Sequence, residues 1–153
     1  MPRHLVAVLH SPPLGDGLLT LGRVNVARNA LNCETVSIAN IYSNPLANVN
    51  ALPYAADDGW QRARAHVRRE LDRADATDVL LAYGVQAPSG AHRSLYLQQR
   101  AWLKEVLRQH SLRVWTFGDR PYHPSRWQRV TYRHEPGASI EQLAPSLLTP
   151  LAL

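Results

Sequence analysis

Four short runs of strand-forming residues, separated by stretches with helical spacing, constrain the fold of this 153-residue chain most. The runs cover 5–9, 35–39, 77–83 and 112–117. The first run is almost continuously apolar, which is typical of a strand buried on both faces of a parallel sheet. The order β-α-β-α-β-α-β therefore predicts parallel strands joined by right-handed crossovers, with helices on both faces.

The stretches between these runs predict three helices. Apolar residues at helical spacing predict the first over 17–32 and the third over 91–110. The second begins at Asp57 or Asp58 and carries an apolar stripe from Trp60 to Ala74. We expect a three-layer α/β/α fold around a central, mainly parallel four-stranded sheet.

A C-terminal extension follows the fourth predicted strand and its loop. Residues 129–133 have the composition of a short edge strand or extended segment. A last short helix is predicted over 140–147, with Ser139 or Ala138 at its beginning, and an apolar tail with Pro150 follows. We expect one domain over residues 1–153, with a core of about 5–127 and a C-terminal extension over 128–153.

Composition favours a cytoplasmic protein without a cofactor. No apolar run approaches the ~20 residues that span a bilayer, so no membrane association is expected. The first residues lack the pattern of a signal peptide. Cys33 is the only cysteine, which excludes an intramolecular disulfide and a thiolate cluster. The seven histidines are scattered, so no metal site is predicted.

The positive charge of the chain favours an anionic partner. The formal net charge is +5, and Lys104 is the only lysine among the cationic side chains. Arginine binds phosphates through two parallel hydrogen bonds and stacks on bases, which makes a nucleic acid or nucleotide a plausible partner. A coding bias that replaces lysine with arginine is the alternative explanation.

Polar or glycine-containing loops follow all four predicted strands. They cover 10–17, 40–45, 83–90 and 118–127. Because the carboxyl ends of parallel strands meet at one edge of a sheet, these loops are expected to converge there. Two familiar phosphate-binding patterns, the P-loop and Gly-x-Gly-x-x-Gly, are absent from the first loop, and no serine lies in a nucleophile elbow.

The loop after the fourth strand is stiffened by Pro121 and Pro124. Proline fixes φ and lowers the entropy that is lost when a loop adopts one shape. The pattern indicates a loop that presents His123, Ser125 and Arg126 in a fixed geometry. A proline-rich surface turn without a function is the alternative.

Read in order, the strand-end sequences resemble an uncharacterised bacterial and phage family, domain-of-unknown-function family 1643. They are Leu9-His-Ser-Pro-Pro, Ala39-Asn-Ile-Tyr-Ser, Leu81-Ala-Tyr-Gly and Gly118-x-x-Pro-x-His-Pro-Ser. That family has Asn-Pro-Ser, Val-Asn-Leu-Phe-Ala, Ala-Trp-Gly and Gly-x-Pro-x-His-Pro-Leu at the corresponding places. The resemblance covers about residues 5–127. The same layout is similar to the uracil-DNA glycosylase superfamily, which implies a glycosylase-like α/β fold.

The resemblance to the glycosylases implies roles for several residues. Asn40 matches the asparagine that reads the base edge after strand two. His123, Pro124 and Ser125 match the His-Pro-Ser loop that supplies a histidine and wedges into DNA. An aromatic residue usually stacks on the flipped base, a role that the resemblance gives to Tyr42 or Tyr83.

The first loop departs from the glycosylase pattern. The glycosylases have Asp, Glu or Asn there in a Gly-x-x-Pro context, whereas this chain has Ser11 between His10 and Pro12. A neutral serine activates water poorly, and Asp16 is the nearest carboxylate. Either Asp16 has taken that role, or the chain does not hydrolyse N-glycosidic bonds.

Three hypotheses about function follow, and the first is a binding protein of uracil-DNA glycosylase-like fold. It holds a nucleic-acid base or nucleotide without turnover, at the carboxyl ends of the strands. Its phosphate-binding residues would be Arg120, Ser125 and Arg126. Its base-binding residues would be Ser11, Pro13, Asn40, Tyr42, Tyr83 and Gly84.

The second hypothesis is a DNA glycosylase-type hydrolase that acts on uracil or a modified base. Asn40 would read the base, His123 would stabilise the departing base anion, and Asp16 would orient water or stabilise the sugar cation. The third is a non-catalytic structural or regulatory protein, in which Asn40 and His123 form only internal hydrogen bonds and no cleft opens between them.

Overall fold

A five-stranded sheet forms the centre of the computed structural model, which describes residues 2–153. Its strands are β1 His4–Leu9, β2 Thr35–Asn40, β3 Ala76–Leu81, β4 Arg113–Phe117 and β5 Leu148–Pro150. They follow the order β2-β1-β3-β4-β5, and only β5 runs antiparallel to its neighbour. The four predicted strands and their parallel pairing are confirmed.

Five α-helices surround the sheet, and the three predicted between the strands are confirmed. The bounds are α1 Leu18–Ala30, α2 Gly59–Leu71, α3 Ala91–Arg108, α4 Trp127–His134 and α5 Ile140–Leu147. Helix α2 ends earlier than its predicted stripe, so Ala74 lies beyond it and is exposed. Helix α5 begins directly after Ser139 with a capping box. The Ser139 side chain accepts from the backbone N–H of Gln142, and the Gln142 side chain accepts from the backbone N–H of Ser139.

Each face of the sheet carries its own apolar cluster because side chains alternate along a strand. In β1, Val6 and Val8 pack with α2 and α3. On the opposite face, Leu5 and Ala7 pack with α1 and α5. Helices therefore cover both faces, and they leave the carboxyl ends of the parallel strands at one edge.

The prediction of four strands is wrong by one, because residues 148–150 form β5. Its Leu148, Thr149 and Pro150 pair antiparallel with Phe117, Thr116 and Trp115 of β4. A proline is tolerated there because β5 is an edge strand, and its missing N–H interrupts no further pairing. With α5 and β5, the extension over 128–153 contributes buried residues to the second cluster.

The prediction of a strand or extended segment over 129–133 is also wrong, because these residues lie in α4. Trp127 and Thr131 are fully buried and are four residues apart, so a helix turns both toward the core. The Trp127 ring stacks on Phe117 with centroids 4.3 Å apart, and its Nε1 atom donates to the Tyr122 carbonyl over 3.0 Å. This packing outweighs the strand preference of Val130 and Tyr132.

Within residues 2–153, no helix has both the length and the apolar character needed to cross a membrane.

Candidate functional site

Two adjoining cavities lie where the strand-end loops meet, and His123 lines both of them. The first, here called the asparagine cavity, has a volume of about 390 Å³ and includes Asn40, Asp16 and the first loop. The second, the arginine cavity, has a volume of about 440 Å³ and includes the loops after β3 and β4. The predicted convergence of the strand ends is confirmed.

Asn40 is the last residue of β2 and reaches the asparagine cavity with its side chain. Its Oδ1 atom is buried and has no hydrogen-bond partner within residues 2–153. An unsatisfied buried polar atom costs about 1–3 kcal/mol, so its retention needs a reason beyond packing. Asn40 therefore has an acceptor atom that forms no hydrogen bond within residues 2–153, in a residue that lines the cavity.

Asp16 lies in the same cavity, together with Ser11 and Pro13 of the first loop. The Asp16 side chain is exposed, and its Oδ1 atom accepts a hydrogen bond from the Leu18 amide over 3.0 Å. This bond ties the carboxylate to the start of α1. One carboxylate, one amide and one imidazole thus line a single cavity.

His123 is half-buried and is held by the turn that follows it. The Ser125 amide donates to its Nδ1 atom over 3.1 Å, and the Ser125 Oγ atom lies 3.0 Å from the same nitrogen. A backbone N–H can only donate, so Nδ1 carries the lone pair and a neutral ring has its proton on Nε2. Burial lowers the pKa of His123, and the nearby Arg126 and Arg23 lower it further.

Arg23 connects α1 to the histidine loop. Its Nη1 atom donates to the Pro124 carbonyl over 2.6 Å. The sequence alone did not single out this contact, because Arg23 and Pro124 are 101 positions apart. The contact fixes the loop against the helix that borders the asparagine cavity.

Four arginines line the arginine cavity, and no carboxylate of residues 2–153 lines it. They are Arg120 and Arg126, which the sequence predicted, and Arg129 and Arg133, which it did not. None of the four forms an ion pair with another residue of the described chain. The last three recur at helical spacing, so they form one stripe along α4. Ser125 lies in the same cavity.

Tyr83 and Gly84 form the opposite wall of the arginine cavity. Gly84 has φ +93°, a conformation that side chains rarely adopt, and its amide donates to the Pro121 carbonyl over 2.8 Å. This bond joins the loop after β3 to the loop after β4. A larger residue at position 84 would be strained and would approach His123.

His10 is a site residue whose importance the sequence did not reveal. It lines the arginine cavity, and its Nε2 atom is buried without a partner in the described chain. Its ring meets Trp60 edge-on with centroids 5.6 Å apart. Burial lowers its pKa to about 4, and the neighbouring His123 contributes in the same direction. The only sequence signal was its place directly after β1.

The structure does not bring Tyr42 to either cavity, so its predicted stacking on a base does not fit. The side chain is fully buried against Trp60, and its hydroxyl donates to Asp57 Oδ2 over 2.7 Å. Burial and the Asp57 carboxylate raise its pKa to about 12. Tyr42 therefore anchors the long connection before α2, whereas Tyr83 stays at the site.

Across residues 2–153, no cluster of three or more His, Cys, Asp or Glu side chains has the arrangement of a metal site. The asparagine, histidine and arginine side chains at the strand ends suit hydrogen bonding and the binding of anions. No family model, curated protein or solved structure matches the chain.

Proposed function

We propose that this protein binds a nucleic-acid base or nucleotide at the carboxyl edge of its sheet, without turnover. The base lies in the asparagine cavity and the phosphates lie in the arginine cavity. This proposal rests on the buried Oδ1 atom of Asn40, which has no hydrogen-bond partner within residues 2–153, beside a cavity lined by four arginines that form no ion pair with those residues. The order of the strand-end motifs supports a glycosylase-like fold as part of the same proposal.

The base edge is the part of the ligand that suits Asn40. A primary amide both donates and accepts, which matches the edge of a base. Because Oδ1 is buried, a base that is paired in a duplex cannot reach it with its Watson–Crick edge. The cavity therefore requires an unpaired base, as in a single strand or a flipped nucleotide.

The phosphates suit the arginine stripe. Guanidinium groups bind phosphate oxygens through charge-assisted pairs of hydrogen bonds, which are stronger than neutral ones. Arg126 directly precedes α4, and Arg129 and Arg133 follow it along the helix at intervals of about one turn. A stripe of this length suits more than one phosphate.

His123 stands between the two parts of the ligand. With Nδ1 occupied by Ser125, the Nε2–H group of the neutral ring is free to donate to a ligand oxygen. A lowered pKa keeps this ring neutral at pH 7. His123 therefore supplies a hydrogen-bond donor without adding a positive charge beside the four arginines.

Fluorescence anisotropy with labelled single strands of about 12 nucleotides tests the proposal at roughly 50 and 200 mM salt. We expect binding that weakens steeply with salt. Asn40→Ala is expected to weaken it about tenfold, since one buried hydrogen bond is lost. A duplex of the same sequence is expected to bind less tightly than the single strand.

A matched pair of variants separates the site from general attraction. Arg129→Gln removes a charge of the stripe, and Arg69→Gln removes an exposed arginine from α2. The first is expected to reduce the slope of log K against log salt by about 0.7, and the second to leave it nearly unchanged. Equal effects, or no binding at low salt, would contradict the proposal.

A second candidate function is hydrolysis of an N-glycosidic bond. It is favoured by Asp16, Asn40 and His123 lining one cavity. Its test is the release of abasic sites from strands that contain uracil or a modified base. Turnover would be established if the natural protein forms product and Asp16→Asn does not, while the variant still binds the single strand. An absence of product for all bases tested supports binding alone.

A further inference from the structure

A third cavity lies between α3, the end of β4 and the last residues of the chain, and here it is called the tail cavity. Its volume is about 470 Å³. We propose that it binds an aliphatic chain with a carboxylate head group, such as a medium-chain fatty acid. The inference does not rest on the nucleotide proposal.

The walls of the tail cavity are mostly apolar. Leu81, Leu103 and Leu107 lie in its interior and are at most 5% exposed. Leu97, Leu151 and Leu153 also line it, although they are 46%, 42% and 38% exposed. Leucines that remain exposed around a concave surface are typical of a site for an apolar ligand.

The tail that closes the cavity is held in place by the sheet. The Leu151 amide donates to the Val114 carbonyl over 2.8 Å, directly after β5. This bond continues the pairing of β4 with β5 by one residue. This hydrogen bond therefore attaches residues 151–153, which form one wall of the cavity, to the central sheet.

Cationic groups stand beside this apolar surface. Arg100 and Lys104 are one helical turn apart on α3, and both line the cavity. Neither forms an ion pair within residues 2–153. The Arg100 guanidinium lies 5.8 Å from the Tyr83 ring centroid and 5.7 Å from that of Tyr96, which fixes its direction.

The apolar walls and the cationic side chains of the tail cavity together indicate the chemical class of the ligand. Arg120 also lines the cavity, and Asp119 has the one acidic side chain among the described lining residues. A neutral apolar molecule would leave the two α3 cations without an ion-pair partner, while a polyphosphate would leave the leucines uncovered. An aliphatic chain with one carboxylate satisfies both, because the carboxylate accepts charge-assisted hydrogen bonds.

Calorimetric titration with decanoate tests this assignment, and decanol is the neutral comparison. We expect decanoate to bind at least tenfold more tightly than decanol. The double variant Arg100→Gln/Lys104→Gln is expected to remove this preference, since it removes both charges and keeps the apolar wall.

A second variant tests the location independently of charge. Ala101 is exposed on α3 and lines the cavity, so Ala101→Phe would fill it. Its matched control is Ala65→Phe, at an exposed position of α2 outside the cavity. The first variant is expected to weaken decanoate binding at least tenfold and the second less than twofold. No heat with decanoate, equal binding of decanol, or equal effects of the two phenylalanines would overturn the proposal.

Discussion

The amide of Ser125 donates a hydrogen bond to Nδ1 of His123 over 3.1 Å, and this bond determines which nitrogen of the ring carries the proton. Pro124, between them, has no N–H and opens the short turn 124–126, so Ser125 supplies the donor. The contact leaves Nε2–H as the donor that the site offers to a ligand.

The tautomer of His123 gives the first prediction. At pH 7 the ring is expected to be neutral and protonated on Nε2, with a titration midpoint below the usual 6.5 because burial and two arginines disfavour the cation. Nitrogen-15 NMR of the imidazole measures both properties. A ring protonated on Nδ1, or a midpoint above 6.5, would be inconsistent with this geometry.

The unpartnered oxygen of Asn40 gives a second prediction, in which stability and binding change in opposite directions. Asn40→Leu removes an unsatisfied buried atom, so we expect the free energy of unfolding to rise by about 1 kcal/mol while nucleotide binding is lost. Urea unfolding and anisotropy measure the two effects. A variant that is less stable than the natural protein would show that Asn40 serves the fold.

The buried imidazole of His10 gives a third prediction, on pH. Its folded pKa of about 4 lies below the ordinary 6.5, so the folded state binds fewer protons. The stability from this group is complete above pH 6.5 and is lost as pH falls toward 4, in total about 3 kcal/mol.

Comparison with His10→Phe isolates this contribution. The phenyl ring keeps the contacts with Trp60 and Tyr96 and has no proton to bind. Burial also lowers the pKa of His4. The Val106 carbonyl and the Asp72 side chain raise the pKa of His110. Both of these histidines remain in the variant, so their contributions are the same in the two proteins. We expect the free energy of unfolding to fall less between pH 6.5 and pH 4 in the variant than in the natural protein. An equal fall in both proteins would contradict this assignment.

Gly59 gives a fourth prediction, on the packing under the site. A Cβ atom there would overlap the ring of Tyr42, which is fully buried and bonded to Asp57. Gly59→Ala is therefore expected to cost about 1–3 kcal/mol of stability. Gly22→Ala is the control, since α1 leaves open space at that position and alanine favours a helix by up to about 1 kcal/mol. Equal effects of the two alanines would refute the packing argument.

The helices and strands that were predicted correctly are those that a short stretch of sequence indicates by itself. Apolar runs indicated β1 to β4, and Ser139 or Ala138 was predicted to begin α5, which starts directly after Ser139. Strand β5 depends on pairing with β4, more than 30 positions earlier, and its three residues carry no periodicity. Helix α4 depends on burying Trp127 and Thr131, which outweighs local strand preference.

The site was predicted in outline for the same reason. Parallel strands bring their carboxyl ends together, so Asn40, Asp16 and His123 could be expected at one edge. The burial of Tyr42 depends on packing against Gly59 and Trp60, which a single sequence does not show. Similarly, the sequence did not predict that Arg129 and Arg133 line the arginine cavity, because their place there depends on residues 127–134 forming a helix.

The most direct test of the central claim is the side-chain amide signal of Asn40 in a nitrogen-15 NMR titration with a short single strand. We expect a saturating shift of this signal. We also expect shifts of the signals of the His123 ring and of the Arg126, Arg129 and Arg133 guanidinium groups. Unchanged Asn40 and His123 signals at a concentration where the strand is bound would contradict it, because the strand would then lie on another surface of the protein.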